Sequence, residues 1–104
     1  LMLRWNNDWR GFLADIASHP ERTELDQWQY QVHARVLERV GLQGVHLGCD
    51  HLPPELSARL SVTPLAGEGD AAARAQRFID EYLQSRPGAR VAVIPDGPYT
   101  MLRP

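Results

Sequence analysis

Four side chains that could bind a metal ion or act in nucleophilic catalysis fall within six positions: His46, Cys49, Asp50 and His51. Imidazole, thiolate and carboxylate groups are the common zinc ligands, and a Cys-His pair can form a thiol nucleophile. Strand alternation would send His46 and Cys49 to opposite faces, and no second ligand pair has a zinc-like spacing. We therefore expect a packed thiol and solvated imidazoles here, and no metal ion bound to this chain.

Three other features have both a chemical and a structural interpretation. The turn Asp96-Gly97-Pro98 could offer backbone N–H groups and a carboxylate to a ligand, although these residues are also ordinary turn formers. The segment 67–69 precedes a helix as a phosphate-binding loop does, but Glu68 would repel phosphate and the glycine pattern is incomplete. Trp28 lies on an apolar stripe and is most simply a core residue. None of these features supplies a complete catalytic set.

The composition excludes several function classes. All eleven basic side chains are arginine, so Schiff-base chemistry and any lysine-anchored cofactor cannot reside on this chain. The net charge is −2 and the arginines are dispersed, which argues against a nucleic-acid or membrane-surface partner. The single cysteine excludes an internal disulfide, and nothing in the sequence resembles a signal peptide or a 20-residue apolar span. These features favour a cytoplasmic location.

The first half of the chain has the pattern of two helices. The first runs over 8–18 and stops before Pro20, and the second runs over 24–40 with Thr23 as its N-cap. The second helix has two apolar stripes on roughly opposite sides, and such a helix is usually covered on both. The main stripe contains Leu25, Trp28, Val32, Val36 and Val40, and the second contains Tyr30, Ala34 and Leu37.

The second half predicts strands that alternate with helices. We expect strands over 45–49, 61–65 and 90–95, and helices over 54–60 and from Asp70 to the stop at Pro87. Pro64 cannot donate to a ladder and should lie at a sheet edge. The predicted fold class is therefore α/β, a single domain over 1–104 of order helix-helix-βαβαβ. Its three-stranded parallel sheet has the order 2-1-3, with a ligand crevice beyond the strand ends at 49–51 and 95–99.

Three short motifs occur in a fixed order. They are Asp26-Gln27-Trp28-Gln29, then Asp50-x-Leu52 followed by Pro-Pro-Glu-Leu, and finally the segment 91–100, Val-Ala-Val-Ile-Pro-Asp-Gly-Pro-Tyr-Thr. Together they resemble the C-terminal portion of the nickel-pincer lactate racemase family. Cys49 and His51 depart from that pattern, because the family has Ser or Thr and Gly at these positions. The resemblance covers most of this chain from about residue 8 and only the last quarter or so of a family member.

The resemblance implies a parent protein of two domains. Members carry a nickel pincer nucleotide joined to a lysine, and a histidine pair moves the α-proton of a 2-hydroxy acid. This chain has no lysine and lacks the histidine-bearing N-terminal motifs. It would therefore form part of the interdomain cleft beside an N-terminal catalytic domain, with Trp28 as its cleft residue and without catalytic or metal-binding residues. The start at Leu1 leads us to expect a processed chain or a piece of a longer protein.

The alternative is a free-standing small α/β binding or interaction module without catalysis. If the domain has been cut from a larger sheet, we expect association, as a homodimer or a larger assembly. The open edge of the last strand, or the stripe of Tyr30, Ala34 and Leu37, would otherwise remain uncovered.

Overall fold

The computed structural model describes residues 1–95, and most of its regular structure is helical. In chain order the elements are α1 (Met2–Trp5), α2 (Trp9–Ser18), α3 (Gln27–Val40), a 3-10 turn (Leu42–Gly44), β1 (His46–Leu47), α4 (Pro54–Ser57), β2 (Thr63–Pro64) and α5 (Ala71–Ser85). Within this part of the chain, every helix is too short or too polar to cross a membrane.

The helices α2 and α5 begin where the sequence predicts, and each is capped by an aspartate. The carboxylate of Asp8 accepts a hydrogen bond from the backbone N–H of Gly11 at 2.9 Å. The carboxylate of Asp70 accepts one from the N–H of Ala73 at 2.8 Å. Each bond satisfies an N–H that the helix itself cannot pair. These two helix starts are therefore determined by local sequence.

The start of α3 differs from the prediction. Thr23 is not its N-cap, because the helix begins at Gln27 and Asp26 occupies the capping position. Asp26 has a left-handed backbone, with φ of 61°, and its side chain caps no N–H group. The Gln27 side chain instead reaches back and accepts a hydrogen bond from the N–H of Glu24 at 3.0 Å. This contact replaces the predicted capping box.

The core lies between α2 and α3. The rings of Phe12 and Tyr30 are 4.5 Å apart at their centres, and Ala34 is completely buried beside them. A small side chain at a helix contact allows the two axes to approach closely. The buried apolar residues are Trp9, Phe12, Leu13, Tyr30, Ala34 and Leu37.

The two stripes of α3 have the reverse of their predicted roles. The stripe of Tyr30, Ala34 and Leu37, which we expected to be the uncovered one, faces α2 and forms part of the core. We call this stripe the inner face. The predicted main stripe is exposed, and the expectation that both sides are covered is wrong within residues 1–95. We call this stripe the outer face, and its members are Leu25, Trp28, Val32, Val36 and Val40.

The predicted α/β fold with a three-stranded sheet of order 2-1-3 is wrong. The described residues contain one sheet of two short parallel strands, in which His46 pairs with Thr63 and Leu47 with Pro64. The expected third strand over 90–95 has no regular structure, and Val93 is 81% exposed. The order helix-helix-βαβαβ therefore becomes three helices followed by β-α-β-α.

The shortness of the two strands explains the missing third. A parallel strand that is buried on both faces needs a neighbouring strand and a covering layer on each side. The described sheet has only two residues in each strand, and no side chain of α5 is fully buried, so residues 90–95 have no neighbour of sufficient length. The predicted turn Asp96-Gly97-Pro98 lies outside the described residues.

Candidate functional site

The loop after β1, where the sequence places its candidate chemistry, is held by an arginine of α5. Arg74 forms an ion pair with the carboxylate of Asp50 at 3.0 Å and donates hydrogen bonds to the backbone carbonyls of Cys49 and Gly69. The Arg74 side chain is only 15% exposed. Because these contacts run from the two Nη atoms of Arg74 to Gly69, Cys49 and Asp50, they hold the loop on α5.

A small cleft of about 260 Å³ lies beside this loop, at the ends of the two strands. Its polar side chains are Cys49 and Ser57, and the Ser57 hydroxyl donates a hydrogen bond to the carbonyl of Pro54 at 2.9 Å. The thiol of Cys49 is exposed and not packed, contrary to our expectation. The residues that line the cleft include no carboxylate or imidazole, so they provide no acid or base for the thiol. The full lining is Leu47, Cys49, Leu52, Pro54, Ser57, Pro64 and Leu65.

Three of the histidines serve separate local contacts. The His46 ring packs on Phe78, with ring centres 4.2 Å apart. The Nε2 atom of His33 lies 2.9 Å from the carbonyl of Ser61, and the Nδ1 atom of His19 lies 3.0 Å from that of Asp15. Over residues 1–95, no three His, Cys, Asp or Glu side chains come together as a metal site would require.

The chain does not fit the nickel pincer nucleotide as a cofactor of its own. The nucleotide of the racemase family is joined to a lysine, and this sequence contains no lysine. Three of its four histidines contact Phe78, Ser61 and Asp15 at different places in the fold. No catalytic step through this cofactor can therefore be derived for this chain.

A buried serine that the sequence did not single out fixes the rotation of α3. Ser61 is 1% exposed and has a left-handed backbone with φ of 53°, which is uncommon for a residue other than glycine. Its hydroxyl lies 3.2 Å from the hydroxyl of Tyr30, and its carbonyl contacts His33. Burial raises the pKa of Tyr30 above its ordinary value. These contacts hold the inner face of α3 toward the core and so direct the outer face away from it.

The outer face forms the floor of a shallow groove of about 390 Å³. Trp28, Val32 and Val36 supply its apolar surface, and Trp28 is 68% exposed. The interpretation of Trp28 as a core residue is therefore wrong, whereas its role beside a ligand cleft remains a prediction. An indole ring with this exposure is accessible to a partner.

Two arginines and a glutamine border the groove. Arg35 forms an ion pair with Glu38 at 2.7 Å, which leaves its guanidinium partly neutralised. Arg39 has no ion-pair partner among residues 1–95. The border of the groove is thus basic, while its floor is apolar. The residues that border the groove are Gln31, Arg35 and Arg39.

Comparisons of the chain with models of known protein families, with curated proteins and with solved structures found no match.

Proposed function

We propose that this chain is a non-catalytic interaction module that binds another protein surface through the outer face of α3. The observation that carries the proposal is the exposure of four apolar side chains on one side of α3, at fractions from 44% to 68%, next to Leu25, which precedes the helix and is 87% exposed. Soluble monomers rarely expose contiguous apolar patches larger than a few hundred Å². A surface of this kind is stabilised when a partner removes it from water.

The residue types on and beside the outer face are those that dominate protein interfaces. Trp28 offers a large ring with few rotatable bonds, and Arg35 and Arg39 offer planar donors at the border. Trp and Arg are enriched among the residues that contribute most to binding energy. An apolar groove along a helix suits the side chains of a partner helix better than it suits a small polar molecule.

The surface is held in place before any partner binds. The inner face of the same helix is buried against α2, and Tyr30 and His33 contact the buried Ser61. A preorganised surface loses little conformational entropy on association.

The single cysteine of the sequence supports a cytoplasmic setting for this module.

Hydroxyl-radical footprinting of the dilute chain tests the exposed surface directly. We expect Trp28 to be oxidised many times faster than Trp9, which is 5% exposed in the core. We also expect the dye anilinonaphthalene sulfonate to bind the folded chain, and Val32→Glu to reduce this binding while Val93→Glu has a smaller effect. Val93 is the matched control because it is an exposed valine that does not belong to α3. Equal protection of Trp28 and Trp9 would refute the proposal.

A second candidate function rests on the position of Trp28. The family motif of the nickel-pincer racemases falls on this residue, and the ring is exposed at the start of α3. On this proposal the chain is the C-terminal segment of a 2-hydroxy-acid racemase-like protein. An N-terminal catalytic domain would then cover the outer face, and this chain would supply only a wall of the cleft.

The gene sequence upstream of Leu1 separates the two candidates. An open reading frame with paired histidines and a lysine supports the racemase-like parent, and a nearby start codon contradicts it. The isolated chain should neither retain nickel after dialysis nor racemise lactate. Stoichiometric nickel retention would contradict both candidates as stated.

A further inference from the structure

We infer that the occupant of the outer face is a second copy of this chain, and that the two α3 helices pack antiparallel across a two-fold axis. The inference rests on the proposed function, because it names the partner of the same surface. In this arrangement Trp28 of each copy lies beside Arg39 of the other. The spacing of the apolar residues, the location of Arg39 and the available area each support it.

The apolar residues form a row that matches itself in the antiparallel direction. Trp28, Val32, Val36 and Val40 follow one another at intervals of four residues. Rows of this spacing form ridges, and the ridges of two helices interdigitate at a crossing angle of about −50°. An antiparallel two-fold axis near residue 34 sets Trp28 opposite Val40 of the second copy, and Val32 opposite Val36. The two Trp28 rings then lie at opposite ends of the interface and do not collide, as an isologous interface requires.

Arg39 distinguishes the antiparallel pairing from the parallel one. Within one chain Trp28 and Arg39 are eleven positions apart, or about 16 Å along the helix, so they cannot touch. They nevertheless lie on the same side of α3, within about 20° of each other around its axis. Reversal of one helix brings the guanidinium of Arg39 level with the Trp28 ring of the other copy, where a cation–π contact can form.

The charges at the ends of α3 favour the same direction. Asp26 is exposed at the start of the helix, and its carboxylate caps no backbone N–H group. Arg39 lies in the last turn and lacks an ion-pair partner within residues 1–95. Antiparallel packing brings the acidic end of one helix to the basic end of the other. Parallel packing would instead bring the two Arg39 side chains to the same end.

The available area fits a reversible dimer. The five apolar side chains together expose on the order of 500 Å². A standard interface takes about 800 Å² from each partner, so the outer face would form the apolar centre. Gln31, Arg35 and Arg39 border the groove and would supply a polar rim. We therefore expect an association that dilution reverses.

Sedimentation velocity of the intact chain over a dilution series tests the dimer. We expect a monomer at low concentration and a dimer at high concentration. Val32→Glu should abolish the dimer, and Trp28→Ala and Arg39→Gln should each weaken it about tenfold or more. Val93→Glu introduces the same charge at an exposed valine off this face and should leave the dimer unchanged. Circular dichroism of each variant establishes that it is folded.

Cysteine cross-linking tests the direction of the pair. With Cys49→Ser as the background, chains that carry Gln29→Cys are mixed with chains that carry Val40→Cys. These two positions lie on the same side of α3, and they become neighbours only in the antiparallel pair. We expect the mixed disulfide to predominate, whereas predominance of Gln29→Cys homodimers would show parallel packing and overturn the inference.

The outcomes separate this inference from the proposed function. A chain that remains monomeric at every concentration, while Trp28 stays open to oxidation, overturns the dimer and leaves the interaction module intact. Protection of Trp28 in the dilute monomer overturns the proposed function as well. A dimer that Val93→Glu disrupts as strongly as Val32→Glu does would place the interface elsewhere.

Discussion

The two faces of α3 carry similar kinds of residues but have opposite surroundings. On the inner face, Tyr30, Ala34 and Leu37 are each at most 2% exposed. On the outer face, Trp28 and Val32 are both more than half exposed, and no element of residues 1–95 covers them. Apolar character alone therefore does not decide which side of this helix enters the core.

Side-chain shape and satisfied polar groups account for the difference. Ala34 permits α2 to approach closely, and the Phe12 ring packs on Tyr30. The hydroxyl of Tyr30, which would be costly to bury alone, has the Ser61 hydroxyl as its partner. The outer face is bordered by Gln31, Arg35 and Arg39, and burial of these groups against α2 would leave their donors without water. The inner face is thus the one that a single partner helix can cover.

The largest expected difference in the free energy of unfolding is between alanine substitutions of two tryptophans. Trp9→Ala removes a core side chain and should lower the free energy of unfolding by about 3 to 5 kcal/mol. Trp28→Ala removes an exposed ring and should cost less than about 1 kcal/mol in the dilute chain. Urea unfolding below the concentration of association measures both. Equal costs would mean that the outer face is buried in the monomer.

A smaller contrast separates two neighbouring residues on opposite faces. Leu37 is 1% exposed and Val36 is 44% exposed. Leu37→Ala should cost about 2 to 5 kcal/mol, because it leaves a cavity between α2 and α3. Val36→Ala should cost less than about 1 kcal/mol in the same urea assay. A reversed order of the two values would contradict the observed rotation of α3.

The smallest contrast concerns the polar contact of the inner face. Tyr30→Phe removes the partner of the buried Ser61 hydroxyl and should cost about 1 to 2 kcal/mol. Tyr82→Phe is the matched control on the more exposed helix α5. A double-mutant cycle with Ser61→Ala measures the coupling, and additive effects of the two substitutions would show that the contact contributes nothing.

The same tyrosine predicts a dependence of stability on alkaline pH. Burial raises the pKa of Tyr30 above 10.0, so the folded state retains this proton when the unfolded chain has lost it. The stabilisation of the folded state by neutral Tyr30 is fully present below pH 10.0. It is lost as the pH rises through the pKa that Tyr30 has in the folded chain. Absorbance titration of the phenols and urea unfolding at alkaline pH measure this loss, which Tyr30→Phe should abolish.

The elements that sequence predicted correctly are those with local causes. Asp8 and Asp70 each cap a helix through an N–H group three residues later, and this pattern is visible in the sequence. The strands β1 and β2 fall within the predicted segments 45–49 and 61–65 and pair in parallel. The left-handed backbone of Ser61 left no sequence signal, and the contacts of this residue join it to Tyr30 and His33, which are 31 and 28 positions away.

The sequence by itself determined where α2 and α5 begin, the two apolar stripes of α3, and the absence of a lysine that could anchor a cofactor. Periodicity and capping act over a few residues, so these features can be predicted without the fold. Only the tertiary structure decided which stripe of α3 enters the core and whether residues 90–95 join a sheet. Both outcomes depend on which distant surface is present to cover an apolar side chain. That surface is α2 for the inner face, and within residues 1–95 there is no strand of sufficient length for residues 90–95.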